Sequence, residues 1–285
     1  MERKKASAVD YLLLLPGIGF IVIFIGSSIY ITVAQSFGLL SITGKSQFTF
    51  RFWEEVFHDK ESLDSILFSL KIGLLSSVAT LLCAFPMALF LRKSGPGKGL
   101  LSTIIKIPQF IPALVAAFLI INLISYHGIV NEVLMALHII DKPLRMLNDK
   151  FGWGVVLIQV WKNIPFVLLI LQGSLASIRD DTVDAAKNLG AGAFSILMRI
   201  YIPLAMPGIL ISMILMFIKA FGDFSITSVA GPAYPPSIAL RMRNTATLFQ
   251  EWDKAAVLGV VIIVITLLIT WLYSRLADFV TGDEK

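Results

Sequence analysis

From Tyr11 to Gly44 the chain carries no charged side chain. In hydrocarbon a backbone has no water to bond to, so such a run must satisfy its own N–H and C=O groups, and a helix of roughly 20 apolar residues is the way to do so while crossing. Ile72–Leu91, Ile107–Tyr126 and Ala255–Ser274 are equally free of charge. Phe151–Ile178 is interrupted only by Lys162, and Ile200–Val229 only by Lys219 and Asp223. The expectation is an all-α integral membrane protein with six transmembrane helices, at about 11–35, 68–91, 104–125, 153–173, 202–225 and 255–275. Composition agrees: 56% of residues are hydrophobic and 15% charged, where soluble domains carry about 25% charged residues. No tandem repeat, low-complexity run or linker divides the chain, which reads as one domain over 1–285.

The basic start and apolar run of "MERKKASAVDYLLLLPGIGFIVIFIG" imitate a secretory signal, but the run continues to about Val33, well beyond the ~7–15 residues of a cleavable core. It is read as a retained first span. Cys83, the single cysteine, falls in span two; it rules out a disulfide framework and is assigned to core packing. A net charge of +5 is explained by basic cytoplasmic loops rather than by nucleic-acid binding. The acid-free turn "RKSGPGKGLLSTIIK" between spans two and three sets both termini on the cytoplasmic side, together with Arg3, Lys4, Lys5 and Lys285.

Between spans, "FTFRFWEEVFHDKESLD" mixes aromatic and charged residues and suits an interfacial helix. In "GIVNEVLMALHIIDKPL", Ile129, Val133, Leu134 and Leu137 recur at helical spacing, which predicts a short half-buried helix outside the membrane. Pro16, Pro86, Pro108, Pro112, Pro165, Pro203 and Pro207 lie inside or at the ends of spans, so kinks in a packed bundle are expected.

The stretch "DAAKNLGAGAFSILMRIYIPLAMPG", Asp184–Gly208, is polar and glycine-punctured among hydrophobic neighbours. Asp180, Asp181 or Thr182 can cap a helix start, and Gly190 supplies the left-handed position that ends one. A second short helix with the stripe Phe194, Leu197, Met198 and Tyr201 follows, and Pro203 marks a turn into span five. Two short helices across the cytoplasmic end of the bundle result, with Ala185, Ala186 and Gly190 leaving an indentation for a partner. A cytoplasmic loop folded back on its own bundle fits the pattern equally well.

Asp184-Ala185-Ala186, three residues, Gly190, nine residues and Ile200-Tyr201-Ile202-Pro203 match the EAA motif, EAA-x3-G-x9-I-x-LP, with Asp for Glu and Ile for Leu. The chain thereby resembles permease subunits of binding-protein-dependent ABC importers, with a type I (MetI-like) bundle. "IKIPQFIPALVAA", "HGIVNEVL", "VWKNIPFVLLIL" and "LGVVIIVITLLITWL" extend the likeness. The resemblance implies a bacterial-type cell (inner) membrane protein whose loop at about 176–201 couples to a cytoplasmic ATPase dimer through Asp184, Ala185, Ala186, Gly190, Ile200 and Pro203. It further implies a second permease, identical or paralogous, and an extracytoplasmic solute-binding protein. ATP and Mg would bind the partner ATPase, with no cofactor in this chain.

The residues themselves offer little chemistry. "GPGKGL" at Gly95–Leu100 fails as a phosphate loop because Lys98 is followed by Gly99 rather than Ser or Thr. His58, His127 and His138 are scattered without metal-ligand spacing. Charges inside spans are better pointers, because each costs at least about 2.5 kcal/mol near mid-bilayer and faces a cavity or a partner. Lys162, Asn163, Lys219 and Asp223 are therefore the candidates for the substrate path; Lys219 and Asp223, four apart on a helix, can instead simply pair with each other, and Lys162 can equally snorkel toward an interface. Asn122 is a weaker candidate. "AAKNLGA" resembles the polyamine, phosphonate and related organic-ion permeases more than the sugar permeases, which stand second. An ion-gradient-driven secondary transporter is the alternative of another class; a membrane enzyme ranks below it.

Overall fold

A computed structural model describes residues 8–42, 44–93 and 95–281; Arg3, Lys4, Lys5 and Lys285 of the topology argument lie outside them. Every regular element among the described residues is helical. Six stretches are long and apolar enough to cross a membrane: Pro16–Ser36, Lys60–Arg92, Ala113–Ala136, Trp153–Ala176, Ala193–Phe221 and Trp252–Leu276. The chain divides into two compact units, residues 1–59 with 242–261, and residues 60–241 with 262–285.

In the first unit, α1 (Ala8–Ser36) and α2 (Arg51–His58) are joined by an aromatic loop. Phe37 stacks on Phe48 and on Trp53, at 5.7 and 5.5 Å between ring centres, and meets Phe50 edge-on at 5.4 Å. The helix expected in this region is α2. Ion pairs from Glu55 to Arg51 (2.6 Å) and Lys254 (2.9 Å) pin it. Phe20, Ile23 and Phe24 of α1 are exposed, which suits a helix whose solvent is lipid.

The second unit is organised around α3 (Lys60–Arg92), α7 (Trp153–Ala176) and α10 (Ile202–Phe221), which pack on one another. Ala84, Ala88, Leu168, Leu171, Leu175, Ala205, Met216 and Ala220 form their shared core. Small residues allow close approach, as membrane helices need because lipid gives no hydrophobic drive to association. A Cβ added at Gly208 would overlap Ser174 of α7. α3 has 33 residues, about 50 Å of helix against a hydrocarbon core of ~30 Å. Its charged ends, Lys60, Glu61 and Asp64 at one and Arg92 at the other, therefore lie outside the hydrocarbon.

The third span, placed at 104–125, is broken into α4 (Lys98–Phe110) and α5 (Ala113–Ile124). Proline disfavours helical backbone in the residue before it, and Ile111 ahead of Pro112 is extended, φ −81° and ψ 127°. No turn occurs at Pro203. Ala193–Phe221 runs helically through α9 (Ala193–Ile196), a π turn at Leu197–Tyr201 and α10. There the Ile202 N–H bonds to the Leu197 carbonyl, five residues back, and the widened turn gives the following proline ring room. In α6 (Ile129–Ala136) the apolar stripe is not buried: Ile129, Val133 and Leu137 are exposed. Asn131 is the buried residue; it donates to the Ser125, Tyr126 and Leu144 carbonyls and accepts from the Leu144 N–H at 2.9 Å. Cys83 is exposed rather than packed in the core. Short α11 (Thr227–Ala230), α12 (Ile238–Thr247) and the long α13 (Trp252–Thr281) complete the chain.

Candidate functional site

The segment between α7 and α10 forms α8 (Asp180–Asn188) followed by α9. Arg179 occupies the N-cap without a side-chain cap bond, and Asp180 and Asp181 stand instead in the first turn, where their charge favours the positive helix end. Val183, 2% exposed, and Ala186, one turn later, seat α8 on the core of the second unit. Asp184 and Ala185 face outward, and Asp184 pairs with Lys187 at 2.8 Å. The hydrogen bond from Lys187 holds the Asp184 carboxyl below its usual range.

Gly190 ends α8 in the left-handed region at φ +82°. Its N–H bonds to the Lys187 carbonyl (2.8 Å) and the Ala191 N–H to the Ala186 carbonyl (3.0 Å), the paired bonds of a Schellman cap. No atom lies within 4 Å of the position a Cβ would take there. Around this open corner two large apolar side chains stand out, Leu189 at 90% and Phe194 at 71% exposure. Of the stripe expected in α9 and beyond, Leu197 and Tyr201 are half-buried and Met198 is exposed; Ile196 supplies the buried anchor. Ile200 packs against the core, whereas Pro203 is exposed at the start of α10.

One residue that sequence reasoning treated only as a topological charge organises this segment. Arg92, the last residue of α3, has its side chain 8% exposed. It donates to the Leu175 carbonyl (3.2 Å) and the Ile178 carbonyl at the end of α7, to the Asp180 carboxylate (2.7 Å), and to the Tyr201 hydroxyl (3.4 Å). Its guanidinium lies 5.4 Å from the centre of the Tyr201 ring. The planar five-donor fork of arginine can join three elements at one point, which lysine cannot do. Arg92 thereby fixes α8 and the π turn to α3 and α7.

Among the described residues no hydrogen bond or ion pair joins any two of the four intramembrane candidates directly. Lys162, on α7, donates to the Pro108 carbonyl (2.6 Å) and the Gln109 carbonyl (3.1 Å), closing the end of α4 where Pro112 stops it. Asn163 is buried and turned to Gln159, donating to its carbonyl (2.8 Å) and side-chain oxygen (3.0 Å). Asn122 likewise bonds the Phe118 carbonyl of its own helix at 2.9 Å. Lys219 does not pair with Asp223: α10 stops at Phe221, so helical spacing no longer relates the two. The Asp223 carboxylate accepts the N–H groups of Ile226 (2.9 Å) and Thr227 (3.1 Å). Lys219 stands instead over the Phe166 ring, its ammonium 4.3 Å from the ring centre.

The chain is 28% identical over 218 residues to the spermidine/putrescine transport system permease protein PotB of Escherichia coli (strain K12), covering 75% of this chain and 78% of that protein. It is 25% identical over 221 residues to the molybdenum transport system permease protein ModB of Haemophilus influenzae, covering 73% and 93%. A solved bacterial ABC transporter involved in import of the acidic polysaccharide alginate shares the fold at a TM-score of 0.76, with 19% identity over 96% of both chains. The methionine ABC transporter MetNI, in an inward-facing conformation, does so at 0.61, with 15% identity over 77% of this chain and 95% of that one. The model of the family described as "Binding-protein-dependent transport system inner membrane component" matches residues 77–281. That match takes in α7, the Arg92-anchored segment and α10, and the chain belongs to this family, the membrane-spanning permeases of ABC importers.

Proposed function

We propose that this permease forms half of a translocation path for a small organic ion of the polyamine or phosphonate kind, and that residues 176–201 take the stroke of a cytoplasmic ATPase. The observation that carries the reading is the open corner at Gly190, where Leu189 and Phe194 stand exposed on an otherwise polar segment. Apolar side chains of that size outside the spans favour a partner that covers them. Asp184, Ala185, Ala186 and Gly190 form the docking surface, and Ile200 and Pro203 join it to α10. A push on α8 reaches α3 and α7 through Arg92, and α10 through Tyr201 and the π turn. Two ATPase subunits, holding ATP and Mg, close against two permeases, this chain and an identical or paralogous one. The two units of the chain act as one permease domain, with both termini cytoplasmic, and a solute-binding protein docks on the opposite side.

A mild-detergent pull-down of the tagged protein from its native membranes, followed by mass spectrometry, tests the assembly. Recovery of an ATPase, a permease partner and a solute-binding protein supports the reading. Recovery of the chain alone, in a form that transports without ATP, overturns it in favour of a secondary transporter.

A further inference from the structure

Two helix breaks meet α7 at one level. Lys162 lies nine residues into the helix and Phe166 thirteen, so at 1.5 Å per residue they stand roughly 14 and 20 Å along a helix of about 36 Å, in its middle third. Lys162 reaches the end of α4, where the third span is broken. Phe166 carries Lys219, two residues before the end of α10. Interrupted helices whose ends lie within the membrane are where transporters build solute sites, since irregular backbone at that depth is tolerated only in protein or beside a cavity.

The charge at this level is one-sided. Among the described side chains neither Lys162 nor Lys219 has a carboxylate partner: the bonds of Lys162 go to two carbonyls, and Lys219 has the face of Phe166. Asp223, the nearest acidic residue in sequence, is committed to two backbone N–H groups. Carbonyls at the end of α10 that could attract a cation are also taken, that of Ile218 by the Gly222 N–H and that of Ala220 by the Asp223 N–H. Lys219 is nonetheless exposed, and a bare ammonium at this depth is expensive against lipid. Its exposed side therefore belongs to a wet path or to a partner permease.

We infer that the solute crosses as an anion, passing the ammonium groups of Lys162 and Lys219 on either side of the Phe166 level of α7. The inference rests on the permease reading and fixes the sign of the organic ion that reading leaves open: a phosphonate, carboxylate or other oxyanion, and not a polyamine. Lys219 supplies the exposed charge. Lys162, tethered to the end of α4, supplies a second positive charge at a fixed place.

The test uses the whole complex, purified with its ATPase and binding protein and reconstituted in proteoliposomes, with labelled phosphonoacetate, molybdate and spermidine as probes. ATP-dependent uptake of an anionic probe is expected, reduced about tenfold or more in K219Q, further in K219E, and largely restored in K219R. Copurification of the ATPase with each variant establishes that the complex still assembles. Spermidine uptake that K219Q leaves unchanged or raises would overturn the inference while leaving the permease reading intact. An ATPase that never copurifies, even with the unaltered chain, would overturn the permease reading and the inference with it.

Discussion

Replacing Arg92 by alanine separates the folding of the bundle from the attachment of α8. The side chain is nearly buried and donates to two backbone carbonyls, a carboxylate and a hydroxyl. Hydrogen bonds from a charged group contribute about 1.5–3 kcal/mol each. The Asp180 bond counts at the low end, because that carboxylate is 62% exposed and such pairs contribute about 0–1 kcal/mol. Water can enter the end of α7 once the arginine is gone, which recovers part of the rest. A net local cost of about 2–3 kcal/mol remains, and at 1.4 kcal/mol per tenfold it raises opening of α8 roughly 30- to 150-fold. Hydrogen exchange of the purified protein reads this directly. Amides of Val183–Leu189 should exchange faster by that factor, while those of α7 around Leu168 and Leu171 keep their protection. In the reconstituted complex, ATP hydrolysis should continue with less transport per ATP. Arg92→Lys should fall between, since lysine cannot reach all four acceptors at once. Unchanged exchange in α8, or equal loosening of α7 and α8, would refute the assignment of Arg92 as the tether.

Gly190→Val should cost about 1–2 kcal/mol locally, because a β-branched residue resists φ +82°. It should lower coupling without changing expression, whereas Gly190→Asn should be tolerated, as paired transport and ATPase assays would show. Gly208→Leu drives a side chain into Ser174 and should destabilise the packing of α7 on α10 by about 1–3 kcal/mol or more, seen as a lower detergent melting temperature. The Asp184 carboxyl is held below its usual range by Lys187, so its contribution is present above the unfolded pKa and is lost only as pH falls through the depressed folded value. Protection of α8 should therefore be flat from pH 5 to 8 and decline in more acidic solution, and Asp184→Asn should weaken that decline.

Membrane helices are legible because one requirement, a self-satisfied backbone in hydrocarbon, dominates every local preference. The charge-free runs therefore marked the spans, and Gly190 was recognisable as a helix end because left-handed backbone selects glycine. Pro112 signalled its break in the residue before it, but a hydropathy run does not register a break between two apolar halves. Pro203 misled in the opposite direction: the π turn ahead of it lets the helix continue, and that depends on a hydrogen-bond register no residue type announces. Arg92 was beyond reach because its partners lie 83 to 109 positions away. The i,i+4 spacing of Lys219 and Asp223 suggested a pair that the end of α10 at Phe221 dissolves. In α6, helical periodicity was present, yet Asn131 took the buried position because it meets four backbone groups at once.

The most direct test of the docking role of α8 is a proximity cross-link from the corner beside Gly190. Cys83, exposed in the second span, is first replaced by serine, and Leu189→Cys then carries a short photoreactive probe in native membrane vesicles. A docking role for α8 predicts one dominant adduct, to a cytoplasmic ATP-binding subunit, with a yield that changes on adding ATP. Vesicles in which position 189 labels only lipid or the chain itself, or is reached only from the extracytoplasmic side, would contradict it.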